Sequence, residues 1–212
     1  MASYRGHLAF SAALGIAYGG FGFWYWGFDW GSALLAAGLT TLGGLLPDLD
    51  SDSGVPVREL FGIAAAVIPF LIYQRLHDRL STEQTLVVLA GVYIGIRYVL
   101  SGMFKRWTVH RGMWHSIPAL LIAGLAFYLG YHGSRQTRMI LAGGVMLGFA
   151  SHLVLDELHS VDFTGARLHL NKYAGSAFKF ASRSWPATVI AYSILGALGY
   201  LSWIDWQNSP SQ

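Results

Sequence analysis

The 212-residue chain has no cysteine. That absence excludes a disulfide framework, every thiolate metal site, an iron–sulfur cluster and a cysteine nucleophile. Charge is scarce as well: Asp, Glu, Lys and Arg make up 12% of the residues, against about 25% in an average soluble domain. Combined with 54% hydrophobic residues and a mean hydropathy of +0.44, this excludes both a soluble globular domain and a disordered chain. An integral membrane protein remains. Any bound metal must rest on His, Asp or Glu. The net charge of +3 is not gathered into the basic face that nucleic-acid binding needs, so no nucleic-acid partner is expected.

What the chain does have is apolar sequence in long runs. Seven stand out, roughly residues 8–28, 31–47, 58–74, 84–103, 116–131, 138–155 and 186–204, against the ~20 residues needed to cross a bilayer. The second, fifth and sixth reach only about 16 to 18 residues, or roughly 25 Å of helix, so their polar ends lie at or slightly below headgroup depth. The pattern predicts an all-α, polytopic transmembrane bundle of about seven helices (range five to seven), some of them short. One helical domain covers residues 1–206, with an interfacial stretch at 157–185 and a polar tail at 207–212. The first run exceeds the usual signal-peptide core and lacks a small-x-small cleavage site, so it is expected to stay in the mature protein.

The basic residues orient this bundle. With a cytoplasmic N-terminus, Arg5, Arg58, Lys105, Arg106, Arg111, Arg167, Lys172, Lys179 and Arg183 lie inside. Arg75, Arg79, Arg135 and Arg138 lie outside, and Arg97 falls within the fourth run. Nine against four favours N-in and C-out, with 157–185 cytoplasmic. Trp24, Trp26, Trp30, Trp203 and Trp206 then form an outer aromatic belt. Gly15 and Gly19 make a GxxxG pair, and Gly38, Gly43, Gly44, Gly143, Gly144 and Gly148 fall in or beside the second and sixth runs. Small residues let membrane helices approach closely, so the first, second and sixth helices are expected to touch.

Residues able to do chemistry are few and clustered. His7 opens the first run; Asp48, Asp50 and Asp52 follow the second; His110, Arg111 and His115 precede the fifth; His152 and Asp156 end the sixth. In the N-in topology all four clusters meet the cytoplasmic face, and ionisable groups at membrane depth are usually functional. His152 and Asp156, four residues apart, share one helix face and can bind a common metal or each other. Asp156 sits near a helix C-terminus, where the macrodipole disfavours an anion, so a positive group should compensate it. Three carboxylates within five residues at 48–52 likewise call for a cation, or form a solvated acidic loop. A calcium loop of EF-hand type fits poorly, because counting from Asp48 puts Glu59 at position 12 but Gly54 at position 7 instead of 6. Arg111 suits a bidentate grip on phosphate or serves as a membrane-face anchor. Arg97 and Lys105 join that basic rim or snorkel. His77 and His132 fall on the outer side, and His159 and His169 are auxiliary ligand candidates in the interfacial stretch.

Gly6-His7-Leu8, Leu46-Pro47-Asp48-Leu49-Asp50, His110-Arg111-Gly112-Met113-Trp114-His115-Ser116 and the segment from Gly148 to Asp156 occur in order over residues 4–160. Together they resemble the LexA-regulated, YdjM-like family of bacterial inner-membrane proteins, described as membrane-bound metal-dependent hydrolases. The family pattern reads Asp-x-Asp-His after the proline, whereas Ser51 stands here in the last place and leaves Asp52 as a substitute. A Thr commonly precedes the second His of the His-Arg-Gly motif, where this chain has Trp114. A fainter similarity, in an N-terminal His, a Pro-Asp and a late His-x-x-x-acid, is to zinc-dependent phospholipase C and related nucleases, and it biases the reaction class toward phosphoester hydrolysis.

The resemblance implies a metal-dependent hydrolase of the bacterial cytoplasmic membrane. His7, Asp48, Asp50, His115, His152 and Asp156 are its expected ligands for one or two divalent ions, and such mixed imidazole and carboxylate donors suit Zn or Mn better than Ca. Asp52 or His110 would act as general base or acid, and Arg111 would stabilise a phosphate oxyanion. The expected substrate is a membrane lipid or another amphiphilic phosphoester, met at the cytoplasmic face. Two rivals stand beside this reading. A cation- or proton-coupled transporter or channel would spread its polar residues along a path across the bilayer, whereas these crowd at one face. A scaffold with structural zinc would have a closed four-ligand shell, fewer than the candidate ligands here.

Overall fold

A computed structural model describes residues 3–50, 55–77, 79–103, 115–164, 167–170, 179–181 and 184–208. Ser3 starts the first helix by accepting the Gly6 N–H at 3.2 Å, and α1 runs Tyr4–Tyr25. Gly27, at φ +67°, takes the left-handed conformation that reverses the chain. Asp29 then caps α2 (Trp30–Gly43) by accepting the N–H groups of Gly31 and Ser32. The Ser32 hydroxyl also donates to this carboxylate at 2.6 Å, and that bond foremost holds Asp29 below the usual carboxylate range. A 3₁₀ turn at Pro47–Asp50 follows, then α3 (Val55–His77) and α4 (Thr82–Ile94), which continues through a π-helical stretch, Gly95–Leu100, to Met103. Next come α5 (Ile117–Gly130), α6 (Arg135–Leu158) and α7 (Trp185–Asn208).

All seven apolar runs are therefore helices. Four of them, α1, Thr82–Met103, α6 and α7, are long and apolar enough to cross a membrane, while α5 is apolar but shorter. The sixth run proves longer than its apolar residues imply, because Ser134 caps α6 ahead of the polar start Arg135-Gln136-Thr137 and the helix continues through Leu158. Helix α7 likewise takes in the first two residues of the expected polar tail. Among the described residues the departure from pure helix is a small antiparallel hairpin, β1 (Val161–Thr164) and β2 (Arg167–Leu170), with Val161 opposite Leu170 and Thr164 opposite Arg167.

The chain falls into two compact units, one of Met1–Pro47 with Gly112–Gln212 and one of Asp48–Arg111. In the first, α6 is the central helix. It buries Leu141, Val145, Phe149 and Leu153 along one i, i+4 row, and the last two pack with Ala119 and Leu120 of α5. Helices α1, α2 and α6 meet backbone to backbone, as the glycines led one to expect. A Cβ on Gly15 would strike the Ala37 carbonyl, and one on Gly148 would strike the Thr40 carbonyl. Gly38 is the exception and faces open space. The Tyr18 hydroxyl adds a bond from α1 to the Ile140 carbonyl of α6 at 2.8 Å.

An ion pair closes the end of this unit where α6 begins. Arg138, counted in sequence among the outer-side basic residues, is buried: its Nη1 lies 2.9 Å from Asp205 Oδ2 and its Nε donates to the Tyr128 carbonyl at 2.8 Å. The Tyr128 hydroxyl donates to the same Asp205 oxygen at 3.0 Å, so α5, α6 and α7 are tied together there. Trp24, Trp26, Trp30, Trp203 and Trp206 are exposed at this end, as an aromatic belt requires.

In the second unit, Ser81 and Gln84 form a capping box at the start of α4. Arg97, in the π-helical stretch, donates from Nη1 to the Arg58 carbonyl at 2.8 Å, which joins the late part of α4 to the first turns of α3.

Replacing Gly148 by Ala should destabilise the purified protein by about 1–3 kcal/mol, because the new methyl meets backbone that cannot rotate away. Gly38→Ala should leave stability unchanged or slightly raised. Denaturant unfolding in detergent measures both, and equal losses at the two sites would refute the packing argument.

Candidate functional site

The end of the first unit opposite the Arg138–Asp205 pair gathers the starts of α1 and α5 and the end of α6. Each contributes a buried polar side chain: His7 from the first turn of α1, His115 just ahead of the Ser116 cap of α5, and His152 and Asp156 from the last turns of α6. Their order in the fold follows from local rules. Ser3 and Ser116 fix where α1 and α5 begin, and the four-residue spacing puts His152 and Asp156 on one face.

Asp156 is the centre of the group. His7 Nε2 stands 3.2 Å from its Oδ1, while His152 Nε2 and His115 Nε2 stand 3.8 Å and 4.0 Å from its Oδ2. The rings of His7 and His152 are stacked, with centroids 3.6 Å apart and planes 10° from parallel, and His115 meets His152 edge-on at 5.5 Å. His152 Nδ1 is 2.8 Å from the Gly44 carbonyl, which can only accept, so Nδ1 carries the proton and Nε2 presents its lone pair toward the carboxylate. A backbone carbonyl fixing one nitrogen while the other faces a polar cluster is how metal-ligating histidines are oriented. Gly44 gave no sequence signal for this role, since it acts through its backbone.

The donor set fits a divalent ion. His7, His152 and Asp156 each offer one ligand atom, all within 4.8 Å of one another. Donors on a tetrahedral zinc with arms of ~2.1 Å stand about 3.4 Å apart, and the separations of 3.2, 3.8 and 4.0 Å around Asp156 bracket that value. His7 Nδ1 is also buried without a hydrogen-bond partner among the described residues, as in a site completed by a group from outside the chain.

Of the residues expected from sequence, the fold thus brings together His7, His115, His152 and Asp156. Asp48 and Asp50 lie in the 3₁₀ turn that opens the second unit, the Asp50 side chain being outside the described residues, as are Asp52, His110 and Arg111. His159 is exposed and caps α6, its Nδ1 bonding the Leu155 carbonyl at 2.9 Å, so it stands apart from the group. His169 lies in β2 opposite Asp162.

The family model for the YdjM inner membrane protein matches residues 1–170, a span that includes all four clustered side chains. No curated protein and no solved structure matches the chain.

The three clustered imidazoles should resist diethylpyrocarbonate in the folded protein, whereas exposed His132 and His159 should be carbethoxylated readily. Peptide mass spectrometry before and after unfolding reads this directly. Rapid modification of His7, His115 and His152 in folded protein would show that they are not gathered in a closed interior.

Proposed function

The chain belongs to the YdjM inner membrane protein family, and from that premise we propose that it is a multi-pass membrane hydrolase that uses a divalent metal against a phosphoester of a lipid or other amphiphile. The observation that carries the proposal is the Asp156 carboxylate held among three buried imidazoles from α1, α6 and the entry to α5. His7 alone stands within hydrogen-bond reach of Asp156, at 3.2 Å, while His152 and His115, at 3.8 and 4.0 Å, stand beyond it at separations that a shared ion would bridge.

In this reading His7, His115, His152 and Asp156 form the metal shell, and Zn or Mn matches their mixed nitrogen and oxygen donors. When bound, such an ion supplies Lewis acidity and a water acidified toward pKa ~7. The chain does the rest. The Gly44 carbonyl sets the tautomer of His152, the α6 helix holds His152 and Asp156 at fixed spacing, and burial keeps bulk water out of the cluster. Asp52 or His110 would move protons, and Arg111 would receive a phosphate oxygen. The count of basic residues assigns this end to the cytoplasmic face.

The transporter reading keeps the same ligands but requires a polar path onward. The opposite end of the unit is closed by the Arg138–Asp205 pair instead, which favours chemistry at one face.

Purified full-length protein should carry zinc or manganese at about one or two equivalents by elemental analysis, and His152→Ala or Asp156→Asn should weaken metal binding at least ~10–100-fold. The same variants should abolish metal-dependent release of product from a phosphoester amphiphile in detergent micelles. Undiminished metal in both variants would overturn the site. Metal-dependent ion flux in liposomes with no hydrolysis would favour the transporter.

A further inference from the structure

We propose that Arg97, in the helix Thr82–Met103 of the second unit, holds the phosphate of an anionic phospholipid, an inference that stands apart from the hydrolase reading. This helix is long and apolar enough to cross a membrane, and its charged residues are Glu83 and Arg97. Glu83 is at the start, where its carboxylate accepts from the Ser81 hydroxyl at 2.8 Å. Arg97 is not at an end. The interval from Arg97 to Met103 is about 9 Å of helix, which in a spanning helix sets the residue below the headgroups, where a cation is costly. Its Cα–Cβ bond tilts toward the start of the helix, away from the nearer end, so snorkelling along its own helix runs against the tilt.

The side chain crosses to α3 instead. Nη1 donates to the Arg58 carbonyl at 2.8 Å, and the guanidinium carbon lies 3.8 Å from where a Cβ on Gly62 would stand, so the group rests on α3 at a point with no side chain. Arg97 also sits within the π-helical stretch Gly95–Leu100, a distortion found frequently at functional sites, and its own carbonyl accepts the Ser101 hydroxyl at 2.6 Å. Among the described residues the Arg58 carbonyl is the hydrogen-bond partner of the guanidinium, and no carboxylate pairs with it. A carbonyl orients the group but leaves its charge in place. Nε and Nη2 stay open to an anion, and their fork matches two phosphate oxygens. Arg97 is half-buried, while Ile94, Tyr98 and Val99 around it are exposed. An anion arriving from water has to be desolvated against this apolar surface, whereas a phospholipid reaches it from the bilayer, with acyl chains along those residues and phosphate drawn to the guanidinium. The lipid has to carry net negative charge, because a zwitterionic headgroup brings its own cation and leaves Arg97 uncancelled.

The experiment is thermal unfolding of the full-length protein in uncharged detergent with phosphatidylglycerol, phosphatidylcholine or glycerol 1-phosphate added, alongside native mass spectrometry to count retained lipid. Phosphatidylglycerol should stay bound to the wild type and raise its unfolding temperature, and neither of the other probes should match it. Arg97→Gln should weaken phosphatidylglycerol binding on the order of tenfold, and Arg97→Lys should keep part of it, because the charge survives without the fork. Arg5→Gln, at the exposed start of α1, should bind as the wild type does; an equal loss there would reduce the effect to general surface charge and overturn the site. If Arg97 serves only to tie α4 to α3, Arg97→Gln lowers the unfolding temperature equally with and without lipid and retains as much phosphatidylglycerol as the wild type, which overturns the proposal. Equal stabilisation of the wild type by phosphatidylcholine overturns the requirement for an anionic lipid, and equal stabilisation by glycerol 1-phosphate overturns the lipid as source. Both comparisons use the wild type, so they decide the matter even where Arg97→Gln does not fold.

Discussion

A carboxylate at the C-terminal end of a buried helix is doubly disfavoured, by loss of water and by the negative end of the helix dipole. Asp156 is in that position, and its need for positive or hydrogen-bonding partners constrains three helices at once. His152 comes from its own helix, His7 from α1 and His115 from the entry to α5. None of these side chains is long, so the constraint passes directly to the backbones: the first turn of α1 and the cap of α5 have to stand at the last turns of α6. Such an arrangement has a free-energy cost unless something returns it. Retention of four buried polar groups at one point in a chain otherwise so poor in charge is the physical case for a ligand there.

The close approach is made possible elsewhere, by the glycines. Gly15 against Ala37 and Gly148 against Thr40 bring α1 and α6 each against α2 with no side chain between the backbones. Gly44 extends this logic into the site. A Cβ there would strike Ser11 of α1 at less than van der Waals contact, so the residue sits where helices α1, α2 and α6 converge, and its carbonyl is therefore within reach of His152. Packing and site are one device: the same absence of side chains that lets the helices touch exposes the carbonyl that sets the histidine tautomer.

This division explains what could be read from the sequence. Long apolar runs in a chain with 12% charge mark helices with little ambiguity, and all seven appear within a few residues of their expected places. The His152 and Asp156 pairing was legible because helical periodicity alone puts residues four apart on one face. That His7 and His115 join them required a topology, which the basic residues and the order of motifs supplied. Other features leave no periodic trace. The burial and pairing of Arg138 cannot be read until Asp205 and Tyr128 are known to face it, and Gly38 is indistinguishable in sequence from glycines that do pack. The hairpin of β1 and β2 is set by cross-strand pairing within a stretch that looks merely polar, and the Lys179 carbonyl accepts the Ile117 N–H at the start of α5 from a position far along the chain.

Asp205 and Asp156, two carboxylates of the first unit, show how different such sites can be within one molecule. Asp205 is met by a guanidinium nitrogen at 3.2 Å from Oδ1 and 2.9 Å from Oδ2, with a tyrosine hydroxyl at 3.0 Å on the latter oxygen. Those are hydrogen-bond distances to permanent donors, and the guanidinium charge cannot be removed at any ordinary pH. The pair is complete as it stands and holds helices together. Asp156 is ringed by imidazoles, which carry charge only conditionally and which, on the Oδ2 side, stand beyond hydrogen-bond length. A protein that needed only to neutralise this second carboxylate had the first solution available and used it at the other end of the same helix. Spending three histidines from three elements instead makes sense where the group to be held is an ion shared among them, and where its release, exchange or reaction is part of what the site does.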